Sequence, residues 1–410
     1  MKVQHDNNSL LFGFVSINLF TGIVVGVFQM VTPLYALSID ASNAELGLMR
    51  GGMGLGMFLT VIPAGFLVDQ FGSKRLYLVG SIFCTLVIIG VCLAVNPIAL
   101  ILLMSMYGFF RSLSLIATNA AFFRNLSVIG MDNAAWINGA LMFGAVAVGP
   151  LLGGLLTKCF DYQTIFRMVL LLYPVPILFV FFRYKENMIN SAATDNKSKS
   201  TSQFQEFSRL LLDKSIRYTL FAETLMGACS ATLSVLMILI IIKKLHLSPT
   251  LASVVLTLNG CASIIVVFTA GSLVKRFSFS RLYLTSFSIA SIGLFGLSLT
   301  AYVPIIIISS TILGIGLGLT QLVNYARIGT LQGEKGKISG LQTAASGIGF
   351  TTGPLLAGWL SHYIDIELVF GVFIPLFLLL GLSVIVSEIR EKRASTETIL
   401  SFEMGAGGDK

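Results

Sequence analysis

Apolar runs of roughly 20 residues recur along nearly the whole chain, and each is long enough to cross about 30 Å of hydrocarbon as a helix. Of the 410 residues, 55% are hydrophobic and only 11% are charged. A water-soluble globule of this length would lack the polar residues needed to cover its surface. The sequence therefore predicts an all-α membrane protein embedded in a lipid bilayer.

Charged, proline-containing and polar breaks divide the chain into twelve predicted transmembrane helices. Six lie before residue 184, at 10–37, 44–69, 75–95, 97–125, 132–158 and 161–183, and six follow at 215–242, 249–275, 281–301, 303–329, 335–361 and 365–387. The polar stretch 184–214 has too little apolar area to order itself and is predicted to be a linker. The predicted domains are thus an N-terminal six-helix bundle over 1–183 and a C-terminal one over 215–387, followed by a tail, 388–410.

The lysines and arginines are distributed unevenly between the two sides of the membrane. Most of the 27 fall in loops on the side that carries both termini, and such loops remain cytoplasmic. The other side is assigned Arg50, Lys158, Arg167, Lys243 and Lys244. Both termini are therefore predicted to be cytoplasmic, in a bacterial inner or plasma membrane. The net charge of +8 does not indicate nucleic-acid binding, because the basic residues lie in membrane loops and not on one solvated face.

The sequence offers no cluster of catalytic or metal-binding side chains. Its five cysteines stand singly, without a CxxC pair and without the spacing of a metal site. It also lacks an HExxH motif and a P-loop, which disfavours metalloprotease chemistry and ATP-driven pumping. We expect no enzymatic activity, no metal and no cofactor.

A charged turn between the second and third predicted helices reads G-x-x-x-D-x-x-G-x-K-R. It consists of Gly65, Asp69, Gly72, Lys74 and Arg75. An imperfect copy follows at 271–284, where Lys275 stands in place of the acid, and the Gly149-Pro150 step of the fifth helix recurs as Gly353-Pro354 in the eleventh. Because six helices separate the copies, the halves are predicted to be parallel repeats about an axis along the membrane normal. The glycines and prolines allow close crossings and kinks, so we assign them to gating.

Twelve predicted helices in two halves, with this turn between the second and third, resemble the major facilitator superfamily. The family's loop signature is matched position for position by the turn, and its intramembrane arginine in the fourth helix by Arg111. The family's exporters typically carry a glycine-proline pattern in the fifth helix, and here that helix keeps only the second part of it. The spacing of the pattern is instead reproduced in the eleventh helix, at Gly340, Gly349, Gly353, Pro354 and Gly358. The resemblance implies secondary active transport by alternating access, with the charged turn stabilising one of the two states.

Two ionisable residues inside apolar runs are candidates for the mechanism. Arg111 is about 20 Å from the inner boundary at Arg124, so it must face protein or water. It could attract an anionic substrate group, shape a proton site, or serve only as a structural partner of backbone carbonyls. Glu223 lies roughly 9 Å beyond Arg217 and could take up and release protons as access alternates. Its alternative is a neutral, hydrogen-bonded or interfacial role.

Polar side chains within the predicted helices must find partners away from lipid. In the resembled family the first, fourth, seventh and tenth helices line the cavity. The resemblance therefore implies substrate-binding roles for Asn18, Gln29, Asn119, Gln321 and Asn324, beside Arg111 and Glu223. The alternative role for the polar side chains is packing between helices. We therefore predict a monomeric, proton-coupled exporter of a drug, metabolite, siderophore or other small organic molecule. The alternatives are a proton-coupled importer of an organic anion attracted by Arg111, and a transporter-like receptor.

Overall fold

The computed structural model describes residues 2–124, 139–183, 214–299, 302–330 and 335–386. Within these ranges the chain forms twelve long helices and no strand. The first six are α1 Lys2–Ser38, α2 Asn43–Phe71, α3 Ser73–Leu93, α4 Pro97–Arg124, α5 Gly139–Leu156 and α6 Tyr162–Phe182. The others are α7 Lys214–Ile238, extended by the π-helical turn Leu239–Lys244, α8 Pro249–Thr269, α9 Phe279–Leu299, α10 Val303–Thr330, α11 Lys335–Leu360 and α12 Leu368–Val386.

The all-α membrane fold predicted from the sequence is confirmed. Ten helices of the described ranges are long and apolar enough to cross a membrane by length and composition. The remaining two, α2 and α11, pack closely against each other, and α11 also packs on α7. Residues 184–213 and 387–410, which include nearly all of the predicted linker and the predicted tail, lie outside the described ranges.

Most predicted helix boundaries agree with the structure within a few residues, but the eighth helix is shorter than predicted. The predicted range 249–275 is interrupted after Thr269, where Ala270 leaves helical geometry and caps α8 through a hydrogen bond from its N–H to the Val266 carbonyl. A separate short helix, Gly271–Arg276, follows and buries none of its residues. Its basic end belongs with solvent or head groups, so the chain turns there instead of extending the span.

Local sequence signals explain how α2 begins and ends. Ser42 and Glu45 form a capping box, in which the Ser42 hydroxyl accepts the Glu45 N–H and the Glu45 carboxylate accepts the Ser42 N–H. At the other end Gly72 adopts φ 83°, a left-handed value that glycine reaches without steric cost. The N–H of Gly72 donates to the Val68 carbonyl, and α3 starts at the next residue. One glycine therefore makes the reversal between the two helices.

We call α1–α6 the N-half and α7–α12 the C-half, the membrane face that contains Gly72 the turn face, and the other the opposite face. The halves meet where α2 packs on α11 and α5 packs on α8. Glycines permit this approach: a Cβ on Gly358 would lie 2.9 Å from the Gly47 Cα, which is closer than carbon atoms normally come.

Contacts between the halves close the bundle at the opposite face. Lys243 at the end of α7 donates from Nζ to Asn43 Oδ1 over 2.9 Å, and Thr250 Oγ1 donates to the Gly154 carbonyl over 2.9 Å. We call these two hydrogen bonds, with the Gly47–Gly358 helix contact, the opposite-face seal. Toward the turn face, by contrast, a Cβ on Gly340 of α11 would meet no atom of the described residues within 4 Å.

Candidate functional site

A buried carboxylate lies at the meeting point of several C-half helices. Glu223 of α7 is only 5% exposed, and its Oε2 accepts two hydrogen bonds from side-chain amides. Asn324 Nδ2 of α10 donates over 2.7 Å and Gln342 Nε2 of α11 donates over 3.0 Å. Neutral donors from two neighbouring helices therefore hold the carboxyl group.

A tyrosine of α9 fixes the orientation of this arrangement. Tyr283 Oη donates to Asn324 Oδ1 over 2.7 Å, which leaves the amide nitrogen of Asn324 directed at Glu223. Asn324 is fully buried, so its amide is occupied on both sides by protein. The Arg327 guanidinium lies 5.7 Å from the Tyr283 ring centroid, a cation–π distance. We call Glu223, Tyr283, Asn324 and Gln342 the carboxylate network.

Two glycines of the exporter-like pattern allow α11 to reach the carboxylate network. A Cβ on Gly349 would overlap the Thr224 carbonyl of α7, and one on Gly353 would overlap the Ala228 carbonyl. Both glycines therefore bring the α11 backbone against α7, immediately beside Glu223. This close packing is what places Gln342 within hydrogen-bonding distance of the carboxylate.

The charge environment of Glu223 allows it to change protonation state without breaking an ion pair. Within the described residues, the carboxylate that does form an ion pair with a lysine or arginine is Glu367, whose Oε2 is 2.7 Å from Lys244 Nζ near the opposite face. A buried charge without an ionic partner is costly. The buried Glu223 carboxyl group is instead held by uncharged amide groups.

Arg111 lies in the N-half, away from the carboxylate network. It lines a small cavity of about 60 Å³ together with Asn18, Lys74, Tyr77 and other residues of α1, α3 and α4. No carboxylate lines this cavity among the described residues. The fully buried Tyr107 hydroxyl, on the same helix as Arg111, has no hydrogen-bond partner in the described part of the chain.

A larger cavity of about 200 Å³ lies between the halves, and we call it the central cavity. It is lined by Gly26, Gln29, Met30, Pro33, Met49, Arg50, Met104, Ala145, Val146, Pro150, Ser230, Leu233, Ser234, Val235, Ile238, Leu256, Asn259 and Phe350. The charge count assigned Arg50 to a loop on the opposite side of the membrane, whereas the structure places it within α2, lining this cavity. The residue follows the start of α2, Asn43, by seven positions, which places it about 10 Å inside the helix. Its depth within the predicted span 44–69 was the signal that could have identified it.

The predicted substrate-binding residues do not converge on one site in this conformation. Asn18 and Arg111 line the N-half cavity, Gln29 lines the central cavity, and Glu223 and Asn324 belong to the carboxylate network. Gln321 Nε2 donates to Tyr325 Oη over 3.1 Å, one helical turn from Asn324. Asn119 is half-buried and lines neither cavity. A substrate that touched all of these groups would require another conformation.

The predicted gating residues are placed as follows. Gly72 forms the reversal between α2 and α3, and Arg75 is exposed. Lys74 Nζ donates to the Phe181 carbonyl over 3.1 Å and lies 5.7 Å from that residue's ring centroid. The side chain of Asp69, and any contact of Gly65, lie outside what the structure describes. The role of the charged turn in stabilising one of the two states therefore stays a prediction.

The Gly-Pro steps of α5 and α11 occupy different positions in the fold. Gly149 packs on α1, where a Cβ would fall 2.6 Å from the Gly26 Cα, and Pro150 lines the central cavity. Gly353 packs on α7, and the carbonyl of Pro354 faces Gly47 of α2 across the boundary between the halves. These contacts agree with close helix crossing, and the gating role of the four residues stays a prediction.

Comparison with known proteins gives a consistent result. The family model described as Major Facilitator Superfamily matches residues 14–222 and 219–403. A multi-drug resistance efflux pump PmrA homolog of Lactococcus lactis is 26% identical over 370 residues, which cover 84% of this chain and 86% of the relative. An uncharacterised MFS-type transporter of Methanocaldococcus jannaschii is 26% identical over 145 residues, or 34% of this chain and 36% of that protein.

Solved structures share the fold at low sequence identity. The nucleoside transporter NupG aligns with a TM-score of 0.75 at 13% identity, covering 92% of this chain and 98% of its own. The human organic anion transporter MFSD10 aligns with a TM-score of 0.66 at 12% identity, covering 91% of this chain and 99% of its own. At such identities the similarity is one of fold.

Proposed function

Because the chain belongs to the major facilitator superfamily and is thus a membrane transporter, we propose that it is a proton-coupled exporter of a small organic molecule, working by alternating access. The observation that carries this proposal is Glu223, a buried carboxylate held by neutral donors from α10 and α11. Such a group can bind a proton on one side of the membrane and release it on the other.

The position of the carboxylate network supports a coupling role. Glu223 follows the start of α7, Lys214, by nine positions, or about 14 Å from the turn-face end of the helix. Tyr325, adjacent to Asn324 in α10, is 48% exposed, so accessible surface begins one residue away from the network. With the opposite face sealed, protons would reach Glu223 from the turn face in this conformation.

The network also supplies a route from protonation to helix movement. In the charged form, Glu223 Oε2 is a strong acceptor for Asn324 and Gln342, and these bonds hold α10 and α11 against α7. Protonation weakens them, because hydrogen bonds to a charged acceptor are stronger than those to a neutral one. Since α11 also packs on α2 of the N-half, a change in its position would act directly on the boundary between the halves.

Export is favoured over import by two features. The glycine-proline pattern that the family's exporters carry in the fifth helix is kept in part in α5 and reproduced in α11. The relative from Lactococcus lactis, similar across most of its length, is described as a multi-drug resistance efflux pump homolog. We propose that the turn face, with both termini, is cytoplasmic, so that the conformation described here accepts substrate from the cell interior.

The test uses Glu223→Gln beside a matched control, Glu367→Gln. Both replace a buried glutamate of the C-half by its neutral isostere, but Glu367 forms an ion pair with Lys244. Candidate metabolites, identified by comparing cells with and without the protein, are added outside inside-out vesicles, whose outer side is the cytoplasmic face. The wild type and Glu367→Gln should take up the substrate when the lumen is more acidic than the medium. Glu223→Gln should lose the gradient effect while still exchanging substrate at equilibrium.

Three results would contradict the proposal in different ways. Unchanged coupled flux in Glu223→Gln would remove this residue from coupling. Uptake driven by a more acidic medium, in vesicles that show no uptake driven by an acidic lumen, would indicate the importer of an organic anion. Ligand-dependent partner binding without any flux would indicate a transporter-like receptor.

A further inference from the structure

Arg50 is the charged side chain among the described residues that line the central cavity. Its Nη1 donates to Gln29 Oε1 over 3.2 Å and lies 3.6 Å from Met53 Sδ. A guanidinium group has five N–H donors and no acceptor, so these two contacts leave most of its donors unused. In the described ranges no carboxylate forms an ion pair with it, since the ion pair there joins Lys244 to Glu367.

A cation in this position is costly unless something compensates for its charge. Arg50 lies about 10 Å inside α2, within a helix that packs against the other half of the protein. Cations at such depth are paired or face a water-filled pathway, and they mark binding sites by default. The protein supplies Arg50 with one amide oxygen and one thioether sulfur, both uncharged. A ligand that carries a negative charge could therefore compensate the charge of Arg50.

The rest of the central cavity is suited to the uncharged part of such a ligand. Its walls are mainly apolar and include the adaptable side chains of Met30, Met49 and Met104 and the ring of Phe350. The C-half contributes hydroxyl groups from Ser230 and Ser234, which are neutral. Glu223 lies in the carboxylate network and does not line this cavity, so a cationic ligand would meet Arg50 without any compensating carboxylate.

A second buried group extends the positive field of the N-half. Arg111 of α4 lines the N-half cavity, where no carboxylate lies among the described residues. Neither Arg50 nor Arg111 therefore has a described acidic partner. Their combined field makes the N-half wall of the central cavity attractive to anions.

We propose that the central cavity binds a small organic anion with an apolar body, whose carboxylate pairs with Arg50 while Gln29 positions the guanidinium. This inference rests on the proposed transport function and names the substrate class. Arginine matches a carboxylate through two parallel N–H···O bonds, and the opposite-face seal closes the cavity behind the anion. The ligand would enter from the turn face.

The test measures charge preference with the purified full-length protein in lipid nanodiscs by isothermal titration calorimetry. The probes are butyrate, phenylacetate and 1-naphthaleneacetate, each compared with its own amide and with an amine of the same skeleton. At least one carboxylate should bind about tenfold or more tightly than its amide, as expected for hydrogen bonds to a charged group, and no amine should compete with it. Arg50→Gln should reduce that preference to near equality, and Arg50→Lys should keep part of it.

The matched control is Arg167→Gln, the same substitution at an exposed arginine of α6, which should leave the preference unchanged. The proposal is overturned if the wild type prefers none of the three carboxylates over its amide, or if Arg50→Gln keeps the wild-type preference. Should Arg50→Gln fail to fold, the wild-type series and Arg50→Lys still decide. If the wild type shows the carboxylate preference but no gradient-driven flux, that result would instead contradict the coupling proposal alone.

Discussion

Replacing Gly358 by alanine should open the opposite face. The added Cβ would lie 2.9 Å from the Gly47 Cα and 2.8 Å from the Asn43 carbonyl oxygen, both backbone atoms of α2. Carbon atoms in contact are normally about 3.5–4.0 Å apart, so the two helices must separate by roughly 0.6–1 Å at this crossing. Because the obstructing atoms belong to the backbone, no side-chain rotation can relieve the overlap.

The size of the effect follows from the cost of overpacking, which is about 1–3 kcal/mol. The overlap exists only while α2 and α11 are in contact, so the whole cost falls on the state with the opposite face closed. A difference of that size shifts a two-state equilibrium roughly 5- to 150-fold. Gly340→Ala is the matched control, because it lies in the same helix and pattern but its Cβ would meet no atom of the described residues within 4 Å.

The distance between two spin labels would measure this shift of the equilibrium. The labels are placed at Ala44 and Leu247, which are exposed at the opposite face on either side of the boundary between the halves. Gly358→Ala should move the distance distribution toward longer values, and Gly340→Ala should leave it unchanged. Equal distributions for the two variants would refute the reasoning, since the steric argument applies to only one of them.

Three further predictions concern charged and polar contacts. Lys244→Met leaves the Glu367 carboxylate, 7% exposed, without its partner, so it should lower the free energy of unfolding by about 1–3 kcal/mol in thermal melts, and the double variant with Glu367→Met should recover part of this loss. Tyr283→Phe removes a 2.7 Å hydrogen bond from the carboxylate network, so it should lower the free energy of unfolding by about 1 kcal/mol and alter the pH dependence of flux. An unchanged pH profile of flux would count against a role of the network in coupling. Asp69→Asn should change cysteine accessibility at the turn face strongly and Lys275→Asn only weakly, because an acidic residue is present in the first charged turn and is replaced by Lys275 in its copy. Equal effects would argue against a larger role for the first turn than for its copy.

The helices and the reversal at Gly72 could be predicted because their causes are local. Length, hydropathy and the spacing of glycine and charged residues are all readable along the chain. Glu223 could be singled out in the same way, as an acid within an apolar run. Its environment could not, because Asn324 and Gln342 lie 101 and 119 residues away in sequence, and only the packing of α7 with α10 and α11 brings them together.

Arg50 shows where reasoning from charge distribution is insufficient. Assigning each cation to the nearer membrane side treats a residue near a helix end as part of the loop, although its side chain can turn inward. Whether it does so depends on what the neighbouring helices offer, here Gln29 of α1. The π-helical segments Phe143–Val148 and Leu239–Lys244 were missed for a related reason, because no composition distinguishes them from an ordinary helix.

The opposite-face seal joins the two halves by backbone contact and by hydrogen bonds that each have an uncharged partner. None of its described contacts is an ion pair, so dissolved salt has little to screen there, whereas it weakens attraction between exposed charges. Changes in ionic strength on either side of the membrane should therefore leave this closure in place. The barrier against leakage is set by the fit between helices, and the electrolyte content of the medium has little influence on it.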